Sequence, residues 1–185
     1  MLDLETLATT PDAAILSIGA VRFDLDAGTV FDQSDTFYTA VSIDYQPGRK
    51  ITNSTLAWWF MQTAEAQEVF FDPTALPLNI ALNALATWVG PQPGITPKVW
   101  SNGADFDLPM LAHAYAQHGI DLPWQPYSGR CYRTYKNLRT ARSVKVERTG
   151  EHHNALADAI FQAKHLCAIH QALFVKAEDA AEVAA

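Results

Sequence analysis

An α/β layer fold, a mixed sheet covered by helices, is predicted by three features of this 185-residue chain. Strand-like segments come first, helical segments follow, and a short buried strand then leads through a helix to a long closing helix. Hydrophobic residues make up 49% of the chain and charged residues 18%, a globular composition. The length suits one domain with a sizeable core and is short for two. We therefore expect a single domain over 1–176 and a frayed tail over 177–185.

Each element has its own signal. Residues 1–5 read as a short strand, followed by the Thr9-Thr10-Pro11-Asp12 turn. Segment 13–23 (AAILSIGAVRF) is rich in Ile, Leu and Val, 24–28 supplies a turn, and 30–41 alternates loosely. That pair predicts an antiparallel hairpin. Asn53-Ser54-Thr55 offers an N-cap for a helix over 56–62, and Thr63 offers one for 64–71. Leu78, Leu82, Leu85 and Val89 form a helical stripe within 76–89, closed by Gly90. Pro91, Pro93, Gly94 and Pro97 then break the chain as a loop. A buried strand is expected over 98–101, a helix over 108–118 stopped by Gly119, and irregular chain over 121–129. The closing helix should run over 154–175, with Leu156, Ile160, Ala163, Leu166 and Cys167 or Ile169 on its inner face.

Charge and cysteine content remove several function classes. Lys+Arg number 13 against 20 Asp+Glu, a net charge of −7, which argues against coating nucleic acid or anionic membrane by bulk charge. Cys131 and Cys167 are too few for a disulfide framework or a Cys-based zinc site and read as reduced thiols. No apolar run approaches the ~20 residues of a membrane span. Asp3 and Glu5 stand where a secretory signal would be apolar, so a cytoplasmic protein is expected.

The acids repay a reading by position. Asp3 and Glu5, at i and i+2 on a strand, point to one face about 7 Å apart. Such a pair is common by itself. Asp107 follows the buried strand and opens the next helix, where Asp105 reads equally well as a plain N-cap. His153 stands at the entry of the closing helix, beside His152. Asp158 interrupts the apolar stretch 155–161, a costly place for a carboxylate without a metal or a basic partner. Four carboxylates converging in an apolar domain repel one another unless cations sit between them. Hard oxygen donors suit Mg2+ or Mn2+. Two such ions about 4 Å apart form the clamp used in phosphodiester hydrolysis, and a nearby histidine can take the water's proton.

At this point the sequence resembles a known group. Asp3-x-Glu5, Asn102-x-x-x-Phe106-Asp107 and His153-x-x-x-x-Asp158 look like the three motifs of the DEDDh 3′–5′ exonucleases, which have a ribonuclease H-like fold. The opening DLETLATTPDA, the paired tryptophans within 56–61 and RCYRT at 130–134 are similar to a small bacterial and phage subgroup of 3′–5′ exoribonucleases. The resemblance implies a ribonuclease H-like sheet flanked by helices, acting on 3′ ends of single-stranded RNA or DNA, RNA favoured, with two Mg2+ or Mn2+ ions. It also suggests a homodimer. Asp3, Glu5, Asp107 and Asp158 would be metal ligands and His153 the general base. Thr6 would sit near the 3′-terminal nucleotide, and Asn102 and Phe106 match residues that shape the second motif; all three are candidate substrate contacts. An exodeoxyribonuclease and an inactive nucleic-acid-binding module on the same fold are the alternatives.

Basic and aromatic residues add candidate substrate contacts. Arg130, Arg133, Lys136, Arg139, Arg142, Lys145 and Arg148 recur every third position, either as a solvated face or as a phosphate track beginning at Arg130. A period of three does not hold one helix face, so a short helix followed by a loop or hairpin is expected. Leu56, Trp59 and Phe60 share a helical face and are expected in the core. Trp58 points away from it, toward a base or toward a subunit contact.

Overall fold

The computed structural model describes residues 1–31, 33–90 and 96–175. Residues 91–94 of the expected loop and the expected tail over 177–185 lie outside them. Seven strands are described: β1 (Leu2–Thr6), β2 (Ile15–Val21), β3 (Phe23–Asp24), β4 (Thr29–Val30), β5 (Thr36–Ala40), β6 (Val99–Ser101) and β7 (Gly129–Cys131). The helices are α1 (Asn53–Trp59), α2 (Ala64–Gln67), α3 (Leu78–Val89), α4 (Asp107–Gln117), α5 (Tyr132–Lys136) and α6 (Ala155–His170), the last extended by a π turn over Gln171–Val175.

Five strands form one mixed sheet in the order β5-β2-β1-β6-β7. β1 runs antiparallel to β2 and parallel to β6, and β6 runs parallel to β7. The expected hairpin therefore exists as β2 against β5, with the small β3–β4 hairpin inserted between them. β7 was not expected: three residues between Pro126 and α5 are too few to show a period.

β1 occupies the sheet centre, and its two faces have different duties. Leu2 and Leu4 pack with Ile18, Leu82, Leu85, Met110 and Leu111 into the core under α3 and α4. Asp3 and Glu5 face the other way, opposite Gly19 and Ser17 of β2. On that side α6 crosses the sheet with a contact only glycine permits. A Cβ built on Gly19 would lie 2.2 Å from the Ala155 carbonyl carbon and 2.2 Å from the Leu156 nitrogen. The first turn of α6 thus rests on the strand beside Asp3.

Several boundaries differ from expectation for local reasons. Thr52, not 53–55, caps α1, its hydroxyl accepting the Thr55 N–H. α1 ends at Trp59; Phe60 still has helical backbone and bonds Leu56 O, and the chain then tightens as Met61 and Gln62 bond i→i−3. Phe60 is nevertheless 75% exposed, while Trp59 is buried as expected. Thr63 caps α2 as expected, but α2 gives way to a 3-10 turn over Glu68–Phe71. Phe106 rather than Asp105 takes the N-cap position of α4, without a side-chain cap. The buried face of α6 is Ala155, Ala159, Gln162, Ala163, Leu166, Cys167 and Ile169. It is rotated from the expected stripe, leaving Leu156 and Ile160 only half-buried, because small alanines are what the close helix–sheet approach accepts.

Candidate active site

Four segments deliver side chains to the end of β1. β1 itself supplies Asp3 and Glu5, with a register shift between Glu5 and Thr6 that ends regular pairing. α1 is tied to this end by the Trp59 indole N–H, which donates to Thr6 O at 2.9 Å. α4 begins with Asp107, which is 2% exposed, after the turn at Gly103 (φ 107) that follows β6. α6 carries Asp158 one turn beyond its cap, Asn154, whose Oδ1 accepts the Ala157 N–H at 3.0 Å. Just before that cap, His153 adopts φ 62, and its backbone N–H donates to Asp158 Oδ2 at 3.0 Å.

Glu5, His153 and Asp158 each offer a ligand atom within 4.8 Å of the others. Asp3 and Asp107 join this trio electrostatically. Burial, then the neighbouring Asp107, Glu5 and Asp158, push the Asp3 carboxyl well above its usual range. Burial and the charges of Asp158 and Asp107 push Glu5 up to about 8, against the pull of Arg148. Burial raises Asp107 to about 7, although Ser101, the Leu4 backbone and Arg133 favour its charged form. Such crowding by itself makes the ionised state costly and a divalent cation welcome. One oxygen of Asp107, Oδ2, is buried with no hydrogen-bond partner among the described residues. The donor set is mostly carboxylate oxygen, the chemistry of Mg2+ or Mn2+ sites, and the residues present fit such ions.

His153 differs in character from the acids. Burial lowers its pKa below the ordinary value of 6.5, against the pull of Asp158. The ring is therefore neutral and able to accept a proton at neutral pH. Trp58 meets it edge-on at 4.7 Å between ring centroids, and Trp59 at 6.2 Å. His152 is exposed and outside the trio.

The remaining candidate residues separate. Trp58 is 40% exposed and borders the site through His153. Thr6 is buried, its hydroxyl donating to Ala8 O at 2.9 Å within the irregular end of β1. Asn102 lies on the β6–α4 turn, with Oδ1 buried and unpartnered among the described residues. Phe106 packs against the core under the sheet. Arg130 stands apart: its guanidinium donates to Tyr127 O and Gly129 O, and it lines a separate cavity with Met1, Val99 and Trp100.

Of three further polar residues at the site, Gln162 escaped the sequence reading, and Arg133 and Arg148 were read only as members of a basic run. Gln162, buried on α6, donates to Asp3 Oδ1 at 2.8 Å. It lies four residues after Asp158, so the i, i+4 spacing on a polar-interrupted helix was the available signal. Arg133 donates to Asn102 O at 2.8 Å and faces Asp107. Arg148 pairs with Asp158. A run with period three does not say which of its cations lands on the site.

Similarity to known proteins agrees with this geometry. Residues 1–170 match the family described as the Rv2179c-like 3′–5′ exoribonuclease domain. Five solved chains are similar in fold. One of them is cell-death related nuclease 4 (CRN-4), with a TM-score of 0.59 and 12% identity over 90% of this chain and 62% of that one. The chain thus spans less than two thirds of that nuclease, and at this identity the likeness concerns the fold, which is the ribonuclease H-like one. No curated protein sequence matches. Among the described residues, no helix is long and apolar enough to cross a membrane.

Proposed function

The chain belongs to the Rv2179c-like 3′–5′ exoribonuclease domain family, and from that premise we propose that it shortens single-stranded RNA from the 3′ end with two Mg2+ or Mn2+ ions. Asp3, Glu5, Asp107 and Asp158 are the ligands in this reading, and His153 is the general base. The observation that carries it is the convergence of Glu5, His153 and Asp158, with ligand atoms within 4.8 Å of one another, beside the buried Asp107 and an Asp3 carboxyl that burial and the neighbouring acids push up. Outside a metal or catalytic site, that arrangement is a cost with no return.

When bound, the ions supply Lewis acidity for the scissile phosphate and lower the pKa of water. The chain's own residues do the rest. Gln162 holds the Asp3 carboxylate by one oxygen, leaving the other for a cation. The left-handed backbone at His153 lets its N–H fix Asp158 while its ring is braced by Trp58. The neutral imidazole takes the proton of the attacking water and later passes it to solvent. Trp58, half-exposed beside His153, offers a face or edge to the terminal base. The unpaired Cys131 and Cys167 fit a reducing, cytoplasmic setting.

A 5′-labelled single-stranded oligoribonucleotide and its DNA counterpart test the reading together. A ladder shortening stepwise from the 3′ end in Mn2+, faster on RNA and absent in EDTA, is expected. Fragments from internal cuts, or equal rates on RNA and DNA, would contradict the directional or the RNA-favouring part respectively.

A further inference from the structure

Arg148 sits where a cation is wanted. Its guanidinium pairs with Asp158 Oδ1, the oxygen that the His153 N–H leaves open. The same nitrogen donates weakly to Glu151 O at 3.4 Å. The guanidinium carbon lies 5.0 Å from the centroid of the Phe161 ring. Arg148 Nε is buried without a hydrogen-bond partner among the described residues. A buried guanidinium normally uses its planar fork on two acceptors, so this one is held by charge rather than by fitted geometry. Its charge is felt across the cluster, drawing Glu5 down and opposing protonation of His153.

The segment carrying it is irregular. Residues 144–149 have no regular secondary structure and end at Gly150, whose φ is 86. The Phe161 ring provides a face along which the guanidinium can slide while keeping its cation–π contact. Glu5 and Asp158 would hold a divalent ion together, and that ion and the guanidinium would compete for the Asp158 carboxylate and repel each other across it.

We propose that Arg148 is the cluster's resident counter-cation. It holds Asp158 while the protein is metal-free, competes with divalent ions for that carboxylate, and once displaced turns its guanidinium to a phosphate of the RNA. This rests on the metal-dependent nuclease reading above. It makes RNA binding conditional on metal, since only a loaded site frees the arginine.

The test uses the full chain, a fluorescent single-stranded oligoribonucleotide and low salt, with Arg148→Gln and Arg148→Lys beside the wild type. In Ca2+, Arg148→Gln should weaken RNA binding about tenfold; in EDTA it should leave binding unchanged. Calorimetry should show Arg148→Gln binding Mn2+ several-fold more tightly than wild type, with Arg148→Lys between the two. Should Arg148→Gln fail to fold, the same ordering is read from Arg148→Lys, whose ammonium lacks the planar fork. Equal loss of RNA affinity in EDTA and Ca2+, or Mn2+ affinity no tighter than wild type, overturns the proposal. A wild-type chain that cleaves RNA in that case leaves the nuclease reading standing, whereas a wild-type chain that binds no Mn2+ overturns both.

Discussion

His153 is fixed through its backbone as much as through its ring. A left-handed φ at a residue other than glycine costs on the order of 1 kcal/mol or more, and it persists here because the Asp158 carboxylate accepts the His153 N–H. Burial then keeps the imidazole below its ordinary pKa of 6.5. His153→Ala is expected to lower kcat by about 10²–10⁴-fold while changing Mn2+ affinity, read by calorimetry, less than about threefold. With enough Mn2+ to keep Glu5 and Asp107 ionised, the part of the acid limb of the pH–rate profile that His153 contributes should vanish with it. Unchanged kinetics would move the base role away from His153. A second residue-scale prediction concerns Gln162. Gln162→Leu leaves Asp3 Oδ1 without its donor, so the carboxyl loses an interaction that favours its charged form. Mn2+ affinity should fall about tenfold, with the melting temperature nearly unchanged. An unaltered affinity would show that Asp3 needs no positioning.

Among elements, α6 matters most, because its first turn carries Asp158 and its position depends on Gly19. A methyl group at Gly19 meets the Ala155–Leu156 peptide rather than a movable side chain. Gly19→Ala should therefore cost about 3 kcal/mol. In a chain of this size that is a fall in melting temperature of roughly 6–12 °C. RNA cleavage should fall with it, because lifting the helix from β2 carries Asp158 away from Asp3 and Glu5 on the neighbouring β1. A variant that melts with wild type would contradict the close contact. The sequence shows such elements unevenly. Asp3, Glu5, Asp107 and Asp158 were legible as a set because three short motifs in order resemble those of the DEDDh exonucleases; of the four, Asp158 alone was singled out for interrupting an apolar stretch. Phe60 was not: its backbone keeps the helical geometry the period assumed, yet it is 75% exposed, because a shared helix face does not say how far the covering chain extends. Nor was the α6 face: its apolar residues outnumber the buried positions, and the strand glycine decides which face comes down.

At the scale of the whole molecule the charges are arranged rather than merely abundant. Net charge is −7, yet Arg133 and Arg148 stand at the carboxylate cluster. Glu5 is raised from 4.5 to about 8, and Asp107 from 3.8 to about 7. In that window the folded, metal-free chain binds protons that the unfolded chain has released. Their contribution to stability is thus full at low pH and is lost as pH rises through those values. In EDTA, the fall in melting temperature from about pH 6 to about pH 8.5 should be smaller in Glu5→Gln than in wild type. Added Mg2+ should raise the wild-type melting temperature most at the alkaline end; an equal rise at both ends would contradict the linkage. The central claim, that these carboxylates hydrolyse RNA from its 3′ end with divalent ions, is tested most directly by release of label from a 3′-labelled oligoribonucleotide. Wild type should release labelled mononucleotide in Mn2+ and none in EDTA, and Asp158→Asn should release none in either. An intact substrate with wild type, or equal release by Asp158→Asn, would contradict it.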